Sequence, residues 1–294
     1  AGREQTLSST SRQLRARLDR ELRTNVALRV EDGATAEVFE VSGRGELHLA
    51  VLIETMRREG YEFEVSRPEV ITREDEHGHR LEPFEECVID IRADQLGSIT
   101  EALGTRGAQM QSMRTDAGGG VRVIYHAPTR ALIGLRSSFL TLTRGTGVMS
   151  SRVLGWERWR ALPQSSRSGV LTASQGGTAV AYGLLALQER GQPFIGPGTA
   201  VYEGMIVGLN RRGGDIAVNV TKQKQKTNIR SSTEDATIKL VPPRELSLEE
   251  ALDFIEDDEL VEVTPQGIRL RKRVLNALER IGIRKRAAAA AAAH

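Results

Sequence analysis

Between Asn219 and Ser232 the chain reads NVTKQKQKTNIRSS. Lys222, Lys224 and Lys226 occupy alternate positions, Thr227, Asn228 and Arg230 follow, and there is no acid. These residue types do electrostatic chemistry. Lysines are point charges for phosphates, and Asn, Thr and Ser donate hydrogen bonds to sugar and phosphate oxygens. Arg211 and Arg212, a little upstream, extend the same candidate RNA-binding set. An equally open reading is an edge strand kept soluble by lysine.

Three other constellations carry the right atoms in weaker patterns. His77 and His79 flank Gly78 in EDEHGHR, where imidazoles and carboxylates lie close together. No second ligand cluster at zinc spacing accompanies them, so a polar hairpin turn is expected. Glu249, Glu250, Asp253, Glu256, Asp257, Asp258 and Glu259 crowd one segment. Paired carboxylates can hold a divalent ion or act as acid and base. The calcium-loop spacing is absent, so a solvated acidic helix face is expected, with RLRKR and RIGIRKR balancing it or touching RNA. Gly43-Arg44-Gly45 sits between a strand-like and a helical run, but His48 stands where a dinucleotide loop has its third glycine. The chain also lacks the G-x-x-x-x-G-K-[ST] phosphate loop. The glycines are therefore expected to turn strand into helix, with positive φ where needed. Cys87 falls in an apolar strand, where a thiol is inert. Neither a catalytic centre nor a metal or cofactor site is expected in this chain.

The elements that position these residues follow from periodicity. Leu14, Leu18 and Leu22 sit at helical spacing after Ser and Thr capping candidates; VALRVED and EVFEVSG read as a hairpin. Leu49, Leu52, Ile53 and Met56 share one face of a second helix that ends at Gly60, and YEFEVSRPEV alternates as a strand. That α, β, β, α, β order is a split βαβ unit lacking its first strand. EECVIDIRA, DQLGSITEALG with Asp94 as cap, AQMQSM, VRVIYHA, a helix through Leu132, Leu135, Phe139 and Leu142, and GVMSSRVL form a complete second unit. After the linker RWRALPQSSRSG, the runs GVLTASQ, TAVAYGLLALQ, GTAVYEGMIVGLN, DIAVNVT and ATIKLV read as short strands, followed by a helix capped by Ser247 and a hairpin. The fold class is α+β: two ferredoxin-like domains, at 1–70 and 71–160, then a mainly β domain at 161–286.

Composition sets the outer limits. With 41 basic and 39 acidic residues the net charge is only +2, so any nucleic-acid surface must be local. One cysteine rules out an internal disulfide framework and multi-cysteine zinc sites. No apolar run reaches the roughly 18 residues that span a bilayer, so a cytoplasmic protein without a membrane partner is expected. The terminal AAAAAAAH, at 287–294, has the texture of a linker and tag remnant, and the absence of an initiator methionine suggests a piece of a longer protein.

At VSGRGELHLAVLIETMRREGYEFEVSRPEVI the sequence resembles domain III of translational GTPases, the elongation factor G superfamily. Through GSITEALGTRGAQM, PTRALIGLRSSFLTLTRGTG and LVPPRELSLEEALDFIEDDELVEVTPQGIRLRKR it resembles the C-terminal half of the BipA/TypA family. The resemblance implies ferredoxin-like domains III and V and a family-specific C-terminal domain. It further implies that GTP and magnesium belong to a GTPase domain not present here, so that this chain is not itself an enzyme. The implied partners are the ribosome, large-subunit rRNA and the acceptor end of an A-site tRNA, bound by a chain that is monomeric off the ribosome. The implied roles are ribosome function, large-subunit assembly or stress adaptation. The basic loop carrying Lys222, Lys224, Lys226, Thr227, Asn228 and Arg230 matches the family's loop at the tRNA end. Apart from the resemblance, the alternative is a ligand-sensing regulatory protein that binds a small effector between paired ferredoxin-like sheets.

Overall fold

The computed structural model describes residues 10–162, 167–223 and 239–291. The chain packs as two compact units, one formed by Ala1–Arg67, Arg167–Ala251 and Ile255–His294, the other by Pro68–Ser166 with Leu252–Phe254.

The first segment begins with α1 (Ser11–Leu22), started by a capping box in which Thr10 and Gln13 satisfy each other's backbone N–H groups. The ribbon β1 (Arg29–Asp32) and β2 (Phe39–Ser42) follows, then α2 (Glu46–Arg58) and β3 (Phe63–Val65). Leu18, Leu28, Leu52 and Met56 make its core, with Leu14, Leu22, Leu49 and Phe63 packed against them. Buried Arg17 staples the two helices: its guanidinium donates to Glu59 at 2.5 and 2.8 Å and to Glu21 at 2.9 Å. β1 and β2 pair with each other, while β3 pairs with a strand from the far end of the chain instead of joining them.

The second unit runs β4 (Arg73–Glu74), β5 (Arg80–Arg92), α3 (Leu96–Gly104), β6 (Gln109–Thr115), β7 (Gly120–Pro128), α4 (Thr129–Leu132), α5 (Leu135–Leu142) and β8 (Val148–Arg158). Its antiparallel sheet has β5 between β7 and β8, with β6 outside β7. One face is packed by the helices: Cys87, Ile89, Val123 and Tyr125 meet Ile99, Leu103, Leu135 and Phe139. Two local expectations change. Asp94 does not cap the helix: it pairs with Arg92, and the Gln95 side chain takes the Arg92 N–H at 3.2 Å. The helix through Leu132 and Leu142 is broken at Gly134, which adopts φ +70°.

The last segment contributes β9 (Val170–Ala173), β10 (Gly177–Thr178), α6 (Ala181–Arg190), β11 (Gly191–Pro193), β12 (Ala200–Val201), β13 (Met205–Asn210), β14 (Ile216–Val218), α7 (Leu248–Phe254), β15 (Glu259–Thr264), β16 (Gly267–Lys272) and α8 (Ala277–Ala291). Its sheet has the order β14-β9-β13-β16-β15-β3, with β11 also on β13. TAVAYGLLALQ, expected as a strand, contains α6. Gly183, Leu184 and Leu187 are its buried face. A short apolar run does not by itself distinguish a buried strand from a buried helix. Gly183 lets α6 lie against the chain after β14, since a Cβ there would come within 2.3 Å of the Val220 carbonyl oxygen.

Candidate nucleic-acid interface

The basic loop leaves the fold beside α6 and returns beside it. On the outgoing side Val220 accepts from the Val180 N–H at 3.0 Å, and Thr221 is held by Asn219 at 3.0 Å and by Gln175 at 2.8 Å. On the returning side Leu240 packs on the apolar core, and the Val241 N–H donates to the Gln188 side-chain oxygen Oε1 at 2.7 Å. Lys222 and Lys239, at the two stems, are exposed. Lys224, Lys226, Thr227, Asn228 and Arg230 lie outside the described residues.

Arg211 and Arg212 sit in the tight turn after β13. Its geometry is fixed by Gly213 and Gly214 at φ +79° and +71° and by the Asn210 side chain. That amide donates to the carbonyls of Gly213 and Gly214 at 3.0 and 2.7 Å, while its oxygen accepts from the Arg212 N–H at 3.1 Å. The turn leaves both arginines exposed. The Arg211 N–H donates to the Arg190 carbonyl at 3.1 Å, which brings the last turn of α6 alongside. Among the described residues Arg190, Arg211, Arg212, Lys222 and Lys239 take no acidic partner. A cleft of about 360 Å³ gathers Arg211, Gln188 and Val241 with Ser168, Gln192 and Pro193, so the arginine turn and the returning stem share one surface.

Over most of its length the chain resembles proteins of known family. Residues 168–277 match the TypA/BipA C-terminal domain, and residues 79–167 match the elongation factor G C-terminus. The large ribosomal subunit assembly factor BipA of Salmonella typhimurium is 50% identical over 272 residues, 92% of this chain and 45% of the relative. The proteins of the same name from Escherichia coli K12 and Bacillus subtilis are 49% and 47% identical over 272 residues, again 92% of this chain, and 45% and 44% of theirs. The chain belongs with the C-terminal half of the BipA/TypA family. It spans about half the length of the curated relatives it matches.

Against that BipA/TypA frame, the remaining candidates resolve into structural parts. His77 and His79 lie in the β4–β5 turn, where the Asp75 carboxylate accepts the N–H groups of both at 2.9 and 2.8 Å and Gly78 takes φ +77°. Gly43 and Gly45 lead into α2, but neither needs positive φ; Gly45 is extended at φ 161°. Gly43 is required by space, because a Cβ would sit 2.8 Å from His48 Nδ1 and 3.0 Å from Leu49 Cδ2. Cys87 is fully buried in β5, and burial pushes its thiol up to about 12.

The acidic segment is not a solvated face throughout. Lys272, fully buried at the end of β16, lies 2.7 Å from Asp215, 2.7 Å from Glu259 and 3.0 Å from Asp258. Arg167 and Arg284 close the group by pairing with Glu259 and Asp215. Burial opposes the Lys272 charge, yet Glu259 and Asp215 overcome it and hold the ammonium above its ordinary value. Burial likewise pushes the Asp215 carboxyl up, and the hydrogen bond and charge of Lys272 outweigh it, bringing it down to about 2. Lys272 and Arg284 thus serve neighbouring acids. In RLRKR the lysine looked equivalent to its arginine neighbours, and no local signal marked it as the buried one.

Proposed function

We propose that this chain is the ribosome- and RNA-binding portion of a BipA/TypA-like translational GTPase and serves assembly of the large ribosomal subunit. The observation that carries the reading is a set of exposed cations without an ion pair among the described residues: Arg190 at the end of α6, Arg211 and Arg212 in the turn after β13, and Lys222 and Lys239 at the two stems of the basic loop. Arg17 and Arg271 on the same unit are, by contrast, paired with carboxylates. Unpaired cations on rigid turns are what a phosphate backbone requires. The relatives' name, large ribosomal subunit assembly factor, supports large-subunit rRNA as the partner, and the family resemblance supports the A-site tRNA acceptor end. In this reading the chain does no chemistry of its own, works in the cytoplasm, and is monomeric off the ribosome; GTP and magnesium are bound by the other half of the full-length protein.

A titration against purified large ribosomal subunits at several salt concentrations tests it. Each phosphate contact contributes about 0.7–0.9 to the salt slope, so replacing Lys222, Lys224 and Lys226 together with Ala lowers the slope by roughly two units. Circular dichroism serves as the folding control. An unchanged affinity and slope in the folded variant would return the loop to a lysine-protected edge.

A further inference from the structure

The cleft beside Arg211 combines apolar and uncharged polar side chains with a guanidinium at its edge. Its floor is the β11–β13 pair, where Gly191 faces Asn210 and Gln192 faces Leu209. The Pro193, Leu209 and Val241 side chains supply apolar walls, and Val241 is 55% exposed at the rim. The Gln192 and Ser168 side chains line the cleft without a hydrogen-bond partner among the described residues, whereas Gln188 and Asn210 are occupied in holding its walls. Among the described residues no carboxylate lines it, and Arg211 stands at its edge.

Each feature answers one part of a nucleotide. Apolar walls accept the face of an unstacked base, as apolar side chains do where bases are flipped out of a helix. A free carboxamide offers a donor and an acceptor together, which suits a base edge. A guanidinium at the mouth suits the phosphate. A volume of about 360 Å³ falls within the range of small-ligand sites.

We propose that this cleft binds a single unstacked nucleotide of an RNA strand, with Pro193 and Val241 against the base, Gln192 on its edge and Arg211 on its phosphate. The proposal rests on the RNA-binding reading and adds a preference for unpaired RNA to it. The rim cations fix the strand's backbone, and the cleft reads whether a base is free to leave the stack.

Fluorescence anisotropy on the whole chain tests it, with a labelled single-stranded RNA 12-mer, a blunt-ended RNA duplex without a loop, and unlabelled nucleoside monophosphate as competitor. Val241→Trp fills the cleft from an exposed position, and Gln192→Ala removes the edge contact from another, so one readout survives if either variant fails to fold. The expected result is about tenfold weaker single-strand binding in Val241→Trp, a smaller loss in Gln192→Ala, and unchanged duplex binding in both. Single-strand binding equal to wild type in the folded variants would overturn the cleft while leaving the basic rim intact. Failure of the wild-type chain to bind either RNA would overturn the RNA-binding reading itself. Competition by the monophosphate at concentrations below the RNA's own Kd would assign the cleft to free nucleotides and overturn the strand assignment.

Discussion

Two residue types show how an unchanged chemical identity takes a role from its surroundings. Lys272 is surrounded by Asp215, Asp258 and Glu259 and has no exposure to water. Removing one member of a buried ion group leaves the others uncompensated, which typically costs about 3–5 kcal/mol. Lys272→Met is therefore expected to lower stability by that amount in urea melts at neutral pH. The pH dependence has a fixed sign. Asp215 is depressed from 3.8 to about 2, so its contribution is fully present above pH 3.8 and is lost as pH falls through 2. In Lys272→Met the depression is relieved and acid unfolding begins at higher pH; an acid limb identical to wild type would refute the coupling. Gly43 and Gly45 make a second contrast. Gly43→Ala drives a Cβ into the held His48 ring and is expected to destabilise by about 1–3 kcal/mol. Gly45→Ala meets open space, and the gain from a stiffer unfolded chain is offset by Ala being a poorer N-cap for α2, so its expected effect is within about 0.5 kcal/mol. Equal thermal shifts in the two variants would contradict this assignment.

At the scale of elements the decisive feature is β3. It follows α2, and its Phe63 packs against the core of Leu18, Leu52 and Met56, yet its backbone ladder is with β15, where Val65 faces Val261 and Phe63 faces Val263. Arg271 adds a bridge to Glu64 at 3.2 Å, and Arg57 donates to the Pro265 carbonyl at 3.2 Å. The N-terminal segment therefore lends β3 to the C-terminal sheet, and the two segments are expected to unfold together. Val263 is fully buried in β15. A carboxylate placed there has no partner, so Val263→Asp should cost at least about 3 kcal/mol. Its signature is amide exchange: the N–H groups of α1 and α2, distant in sequence, should exchange faster along with those of β15. Acceleration confined to β15 and β16 would show that the N-terminal segment stands alone.

For the whole molecule, the two compact units can be followed separately. Both tryptophans, Trp156 and Trp159, lie in β8 or directly after it within the Pro68–Ser166 unit, and Trp159 is stacked between the guanidinium groups of Arg80 and Arg130 at 3.9 and 3.8 Å. Tryptophan emission therefore reports on that unit, while circular dichroism reports on both. The chain is also expected to be silent in calorimetry with GTP. The α2 N-terminus follows a glycine pair, but it carries Glu46 in its first turn, where the helix dipole would otherwise attract a phosphate. A micromolar GTP Kd would contradict this.

The sequence by itself determined what is decided within a few residues. Thr10 with Gln13 and Ser247 with Glu250 form the capping boxes that start α1 and α7. Leucines at helical spacing face the N-terminal core, and alternating Ile89, Ile91, Val121 and Val123 line the central sheet. The composition of the basic loop and its likeness to the BipA/TypA family were legible for the same reason, as both are properties of contiguous residues. Tertiary structure alone decided which partner β3 takes, that α6 is a helix, that Lys272 is buried among acids while Lys222 is exposed, and that Arg211 shares a cleft with Val241. Strand pairing and charge burial depend on groups far apart along the chain. A β-rich run or a lysine carries no local mark of which distant backbone or carboxylate it will meet, because that free energy arises only once the layers are packed and water is excluded from between them.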